Sequence, residues 1–236
     1  MKKIFVVTEG QSETNFVNKV MVPYFSGRCI LIPNTVITKT DNRHGRMHKG
    51  GAVNYEQIRN TLVKTLANAS KNEDSYVTTM FDFYCLPKDV PGAADVEKGN
   101  NPYEKVEHIE REIRRTEKYD ERFFFPYIEL HEFEAMLFSD ITKLEEIYFE
   151  YDLTALKECA KMQSNPELIN GGKETAPSKR IMNCIKGFDK AGEGVQALEK
   201  IGIENIAQKC PHFSKWVKHI EERIQGNMEW GRIAPK

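Results

Sequence analysis

Two kinds of segment alternate along the first part of this chain, and together they predict an α/β fold with a mostly parallel sheet flanked by helices. Short apolar runs end abruptly at acidic residues, and stretches with apolar side chains three and four apart follow them. From Ile141 the strand-like runs stop and only helix-period segments remain. The 236 residues therefore divide, with a soft boundary, into an α/β domain over 1–140 and a helical C-terminal subdomain over 141–236 packed on it.

The first strand is Ile4-Phe5-Val6-Val7, which stops at Thr8-Glu9-Gly10. Gln11 to Phe25 follows as an amphipathic helix with Phe16, Val17, Val20, Met21 and Tyr24 on one face. Ser12 is placed to cap it, Glu13 suits the positive end of its dipole, and Pro23 ends or tightens it. Arg28 to Thr40 reads as a second strand broken at Pro33. Tyr55 to Asn68 is a helix with Ile58, Leu62, Val63 and Leu66 on one face. Ser75 to Tyr84 is a strand that delivers Asp82, and Leu86 to Pro102 is a loop rich in Pro, Gly and Asp. Tyr103 to Glu117 is a charged helix whose opposite charges at helical spacing suit a solvated face. Phe123 to Leu130 is a strand, and a helix surrounds Phe133 to Phe138. Strand–helix–strand order favours parallel pairing, because parallel neighbours need a crossover.

Composition excludes several classes. Lys plus Arg number 34 against 35 Asp plus Glu, so no global field attracts nucleic acid and any phosphate contact must be local. No apolar run approaches the roughly 18–20 residues that span a bilayer. The N-terminus lacks the apolar core and cleavage site of a signal peptide. Five cysteines without a C-x-x-C pair suit free thiols and a cytoplasmic location.

The chemistry-bearing residues are mostly acids. Glu9, at a strand end before glycine, is either a site carboxylate or a turn residue that caps the next helix. Asp82 stands among apolar residues, where a carboxylate is costly unless it is paired or metal-bound. Glu129, Glu132 and Glu134 crowd six residues with His131, and such like charges call for a cation. Glu132 and Glu134 rank ahead of Glu129, with two of the three pointing to solvent as the alternative. Hard oxygen donors without cysteine suit Mg²⁺ or Mn²⁺, held by Glu9, Asp82, Glu132 and Glu134. Such ions stabilise both oxygens of a phosphodiester displacement. Histidines 44 and 131 are more often structural than catalytic.

Basic residues supply phosphate contacts in the same reading. The Gly-rich loop bearing Arg43, His44, Arg46, His48 and Lys49 either wraps phosphate or is a plain surface loop. Lys179 and Arg180 open a helix that Ser178 can cap; two cations at that end suit an anion site.

The strings IFVVTEGQSE, TTMFDFYCLP, PYIELHEFEAMLFSD, ETAPSKRI and CPHFSKW closely resemble the bacterial domain-of-unknown-function 4276 proteins, which look Toprim-like, with a distant relation to OLD-type nucleases. The resemblance spans nearly the whole chain, and implies a compact parallel sheet between helices. Its metal site would use a Glu after the first strand, here Glu9, and the first Asp of an Asp-x-Asp pair, here Asp82. Tyr84 stands where the second Asp would be, and the acids after Glu129 are the candidates to replace it. Similar proteins often sit beside ATPases in phage-defence settings. The expected function is thus a Mg²⁺- or Mn²⁺-dependent phosphodiesterase, a nuclease acting on DNA or RNA, with Glu9, Asp82, Glu134 and Lys179 catalytic. A non-catalytic partner subunit for an ATPase and a small-nucleotide hydrolase are the alternatives.

Overall fold

The Ile4-Phe5-Val6-Val7 run forms β1 (Lys3–Thr8), and Ile4 to Thr8 are all buried because helices cover both faces of the sheet. The structure, a computed structural model, describes residues 1–36, 54–96, 101–169 and 175–226. Around β1 lie β2 (Ile30–Thr35) and β3 (Ser75–Asp82), both parallel to it. The short β4 (Phe124–Phe125) and β5 (Ile128–Glu129) pair parallel with β3. The sheet order is β2-β1-β3-β4, with β5 continuing along β3 beyond β4.

Two prolines act differently here. Pro33 does not break its strand as the sequence suggests: β2 runs straight through it, which an edge strand permits. Pro126 does interrupt, splitting the expected Phe123–Leu130 strand in two. Thr78 and Thr79 repair that gap. Their hydroxyls donate to the Phe125 and Tyr127 carbonyls (both 2.7 Å), and the Thr79 hydroxyl accepts the Tyr127 N–H (2.9 Å). Those bonds satisfy backbone groups that would otherwise be buried without partners.

Side chains alternate across the sheet. Phe5, Val7, Val77 and Phe81 face α3 (Tyr55–Ala69) and α4 (Pro102–Glu117), meeting Leu62 and Ile109 among others. Ile4, Val6 and Met80 face the other way. There they meet a helix of three joined pieces, α1 (Gln11–Phe16), a π-helical turn (Val17–Met21) and α2 (Val22–Tyr24). The same core takes side chains from α5 (Ile141–Glu145), α6 (Thr154–Met162), α7 (Pro177–Cys184), α8 (Val195–Ile201), α9 (Ile203–Lys209) and α10 (Pro211–Gln225). Leu198, Phe213 and Ile220 thus share a core with Ile4.

Two end caps and one helix type differ from the sequence reading. Gly10, not Ser12, precedes α1, and the Glu13 carboxylate reaches back to its N–H (2.9 Å). Ser178 lies inside α7, which begins after Ala176 with Pro177 at its first position. The segment after Glu132 is a 3₁₀ helix, Phe133–Ser139. Among the described residues, no helix is long and apolar enough to cross a membrane.

Candidate active site

Glu9 and Asp82 emerge side by side at the carboxyl ends of β1 and β3. The Asp82 N–H donates to Glu9 Oε2 (3.2 Å), and the Glu9 N–H donates to the Met80 carbonyl (3.3 Å). After β1 the chain enters α1 on one face of the sheet, whereas the next helix after β3, α4, packs on the other. Neighbouring strand ends whose connections part in this way leave a crevice, the usual binding place of an open parallel sheet.

A left-handed residue carries the next acid into that crevice. His131 has φ of 70°, a conformation that side chains with a Cβ rarely adopt. The turn it makes brings the Phe133 N–H to Asp82 Oδ1 (2.9 Å) and opens the 3₁₀ helix whose first turn carries Glu134.

The cation at the centre comes from far along the chain. Lys190 Nζ lies 3.2 Å from Glu134 Oε2, 3.4 Å from Asp82 Oδ2 and 3.7 Å from Glu13 Oε1. It also sits 5.5 Å from the centre of the Phe133 ring. Lys190 starts a π-helical turn, Lys190–Gly194, that Asp189 caps by accepting from the Ala191 and Gly192 N–H groups (3.2 and 3.0 Å). A Cβ on residue 192 would stand 2.1 Å from the Asp189 carboxylate and push that cap aside. Asn15 of α1 ties the turn down through the Ala191 carbonyl (2.8 Å).

Burial and mutual repulsion raise Glu9, Asp82 and Glu134. Glu9 is pushed up from 4.5 to about 7, first by burial and then by the Glu13 charge, with the Asp82 N–H, Lys190 and Cys85 opposing. Asp82 is raised well above the usual carboxylate range by burial, and the charges of Glu13, Glu9 and Glu134 add to it against Lys190. Glu134 moves the same way through burial and Glu132. Burial works against the Lys190 charge, but Asp82, Glu134 and Glu13 overcome it and hold the ammonium firmly protonated. Burial and the Glu9, Asp82 and Glu132 charges push the Cys85 thiol up to about 12, so it is no ready nucleophile.

Of the sequence-predicted residues, then, Glu9, Asp82 and Glu134 come together. Glu132 is a neighbour with another engagement: its Oε2 accepts the Ser178 N–H (3.0 Å) at the start of α7. That bond occupies part of the helix end read as an anion site. Lys179 is exposed beside it, and Arg180 Nε donates to the Thr175 carbonyl (2.7 Å). Glu129 points elsewhere, into a buried contact with the Tyr127 hydroxyl. Arg43, His44, Arg46, His48 and Lys49 lie outside the described residues. Lys190 and Glu13 are the members that sequence reasoning missed as site residues. The only sign of Lys190 is a single lysine entering the glycine-spaced string KAGEG.

Among the described residues, no three His, Cys, Asp or Glu side chains form a ready-made metal-ligand group. The donor chemistry nevertheless fits a hard divalent ion. Glu13, Asp82 and Glu134 face one ammonium with Glu9 bonded beside them to the Asp82 N–H, and among the described residues buried Glu134 Oε2 has Lys190 as its partner. A second positive charge would offset the burial and repulsion that raise Glu9, Asp82 and Glu134.

Comparison with curated proteins and with solved structures finds no match. A family match does cover residues 8–221, taking in Glu9, Asp82, Glu134 and Lys190 alike. By that match the chain belongs to the family described as a domain of unknown function (DUF4276).

Proposed function

We propose that this protein is a Mg²⁺- or Mn²⁺-dependent phosphodiesterase, a Toprim-like nuclease acting on DNA or RNA. The observation that carries the reading is the meeting of Asp82, Glu134 and Glu13 around Lys190 at the carboxyl edge of the sheet, with Glu9 beside them accepting the Asp82 N–H. Glu9, Asp82 and Glu134 would hold the ion, with Glu132 adjacent on the same segment. When bound, it would lower the pKa of a water and neutralise charge on the phosphoryl oxygens.

The chain's own groups do the rest. Lys190, already held protonated beside the carboxylates, supplies a fixed positive charge for a non-bridging phosphate oxygen. Its anchored π-helical turn keeps that charge in place without reorganisation. The Phe133 N–H orients the Asp82 carboxylate. Exposed Lys179, with Arg180 next to it, stands near Glu132 to draw in flanking phosphates, and the Arg43, Arg46 and Lys49 loop would guide the strand. An ATPase partner in a phage-defence setting and a cytoplasmic location fit this reading.

One observation favours a second reading, a non-catalytic partner subunit of an ATPase. Lys190 by itself partly neutralises the carboxylates, and Tyr84 stands in place of a further acid. Cleavage of labelled single- and double-stranded DNA and RNA in Mg²⁺ or Mn²⁺ separates the two. Metal-dependent cleavage that Glu9→Gln and Asp82→Asn each reduce at least about a hundredfold, in folded proteins, supports the nuclease. Wild-type protein that cleaves none of these polymers, or a double variant that cleaves undiminished, would overturn it.

A further inference from the structure

The ammonium at the centre of the crevice has acids much nearer along the chain than the three it meets. Lys190 directly follows Asp189 and stands three residues before Glu193, on the same π-helical turn. Opposite charges three residues apart on a helical turn ordinarily pair. Among the described residues, however, the ion-pair partners of Lys190 are Glu13, Asp82 and Glu134. Both local acids are engaged elsewhere. Asp189 accepts the Ala191 and Gly192 N–H groups as the cap of the turn. Glu193 accepts the hydroxyl hydrogen of Tyr148, which comes from the connection between α5 and α6.

Tyr148 does more than fill space. Its buried ring packs against Tyr151 and Phe188, with centroids 6.0 Å from each. Phe188 in turn lies so close to Gly194 that an added Cβ there would stand 3.0 Å from the ring. Packing of this kind needs only a phenylalanine. The hydroxyl adds two further contacts: it accepts the Asp189 N–H (3.1 Å) and donates to the Glu193 carboxylate. Both go to residues that flank Lys190. Burial and the Glu193 carboxylate push the Tyr148 hydroxyl up, so it keeps the proton it donates. Tyr151, from the same connection, donates to the Lys186 carbonyl (3.2 Å). The two tyrosines thus hold both ends of the loop that carries Lys190 into the crevice.

Resting on the phosphodiesterase reading for what Lys190 does, we infer that Tyr148 is a positioning residue of the site: its hydroxyl holds Glu193 away from Lys190 and so directs the ammonium onto Asp82 and Glu134. The residue acts through the lysine and touches neither the phosphate nor the acids that would hold the ion. Tyr148→Phe keeps the ring and frees Glu193, which then competes for the ammonium. Adding Glu193→Gln removes the competitor and lets Lys190 return. A tyrosine that merely supported the fold would show no such rescue.

The test joins crystal structures of metal-free wild type, Tyr148→Phe and Tyr148→Phe/Glu193→Gln with steady-state cleavage of labelled DNA and RNA in Mn²⁺. In Tyr148→Phe the Lys190 ammonium is expected within about 4 Å of Glu193 and beyond that distance from Asp82. In the double variant it should be back on Asp82 and Glu134. Cleavage by Tyr148→Phe should fall about tenfold or more, in kcat far more than in KM, and the double variant should recover most of the loss. Lys190 unmoved in Tyr148→Phe, no return when Glu193→Gln is added, or a displaced Lys190 with kcat unchanged would overturn the role of Tyr148. The two readings fail separately. Wild-type protein that cleaves neither polymer defeats the phosphodiesterase alone, because the crystal structures still decide whether Tyr148 places Lys190.

Discussion

Lys190 is the one cation that Asp82, Glu134 and Glu13 share among the described residues, and it opposes the burial that raises Asp82 and Glu134. Breaking a buried ion pair costs about 3–5 kcal/mol, and with 34% of the lysine side chain exposed, solvent screening reduces that to about 2. Lys190→Met is therefore expected to lower the stability of metal-free protein by about that amount in urea unfolding, with millimolar Mg²⁺ recovering part of it. A variant as stable as wild type would mean the ammonium and the carboxylates barely interact. Glu9 adds a pH signature. Its carboxyl group is raised from 4.5 to about 7 by burial and the Glu13 charge, so between those values the folded state keeps a proton that the unfolded state has lost. Its stabilising contribution is complete below about pH 4.5 and declines as pH rises through about 7. In EDTA, wild-type unfolding midpoints should fall more steeply from pH 5 to pH 8 than those of Glu9→Gln. Parallel profiles would contradict the shift.

At the scale of elements, helix ends tie the two parts of the chain together. The first N–H groups of α10 have no cap from their own segment. Glu167, fully buried, accepts from the His212 and Phe213 N–H groups (3.1 and 2.8 Å) and from the Tyr103 hydroxyl (2.9 Å). Trp216 on the next turn stacks on Tyr127 at 4.3 Å and donates to Thr78 (2.8 Å), which locks the helix to the sheet. Glu167→Ala strands two buried N–H groups and is expected to cost about 2–4 kcal/mol, readable as a lower melting temperature. A change below about 0.5 kcal/mol would show that water replaces the carboxylate. Much of this level was legible beforehand. The β1 run, the acid at the end of β3 and the α3 face of Ile58, Leu62 and Leu66 all follow from local pattern, whereas Val63, read onto that face, is exposed. The Phe123–Leu130 strand was legible as apolar but not as divided, because the division depends on Thr78 and Thr79 meeting the backbone around Pro126. Ser12 and Ser178 looked like caps because serine is a good one, but Gly10 with Glu13, and Glu132, do that work instead.

Across the whole molecule, the site joins strand ends, a 3₁₀ turn and a loop of the helical part, and sequence separation decides which of these could be foreseen. Glu9 and Asp82 were visible because each ends its own apolar run. Lys190 stands 108 residues after Asp82 and comes into place only because α8 and α1 share the core that covers the sheet. No local pattern carries that information. With a net charge of −1, the molecule offers no general attraction for polymer phosphate, so the proposed binding would have to come from this crevice and the cations around it. The most direct measurement is calorimetric titration of Mn²⁺ into wild-type, Glu9→Gln and Asp82→Asn proteins stripped of metal. The account expects wild type to bind the ion and each variant to bind at least about tenfold more weakly with its fold intact. Absence of binding by wild type, or equal binding by all three, would contradict it.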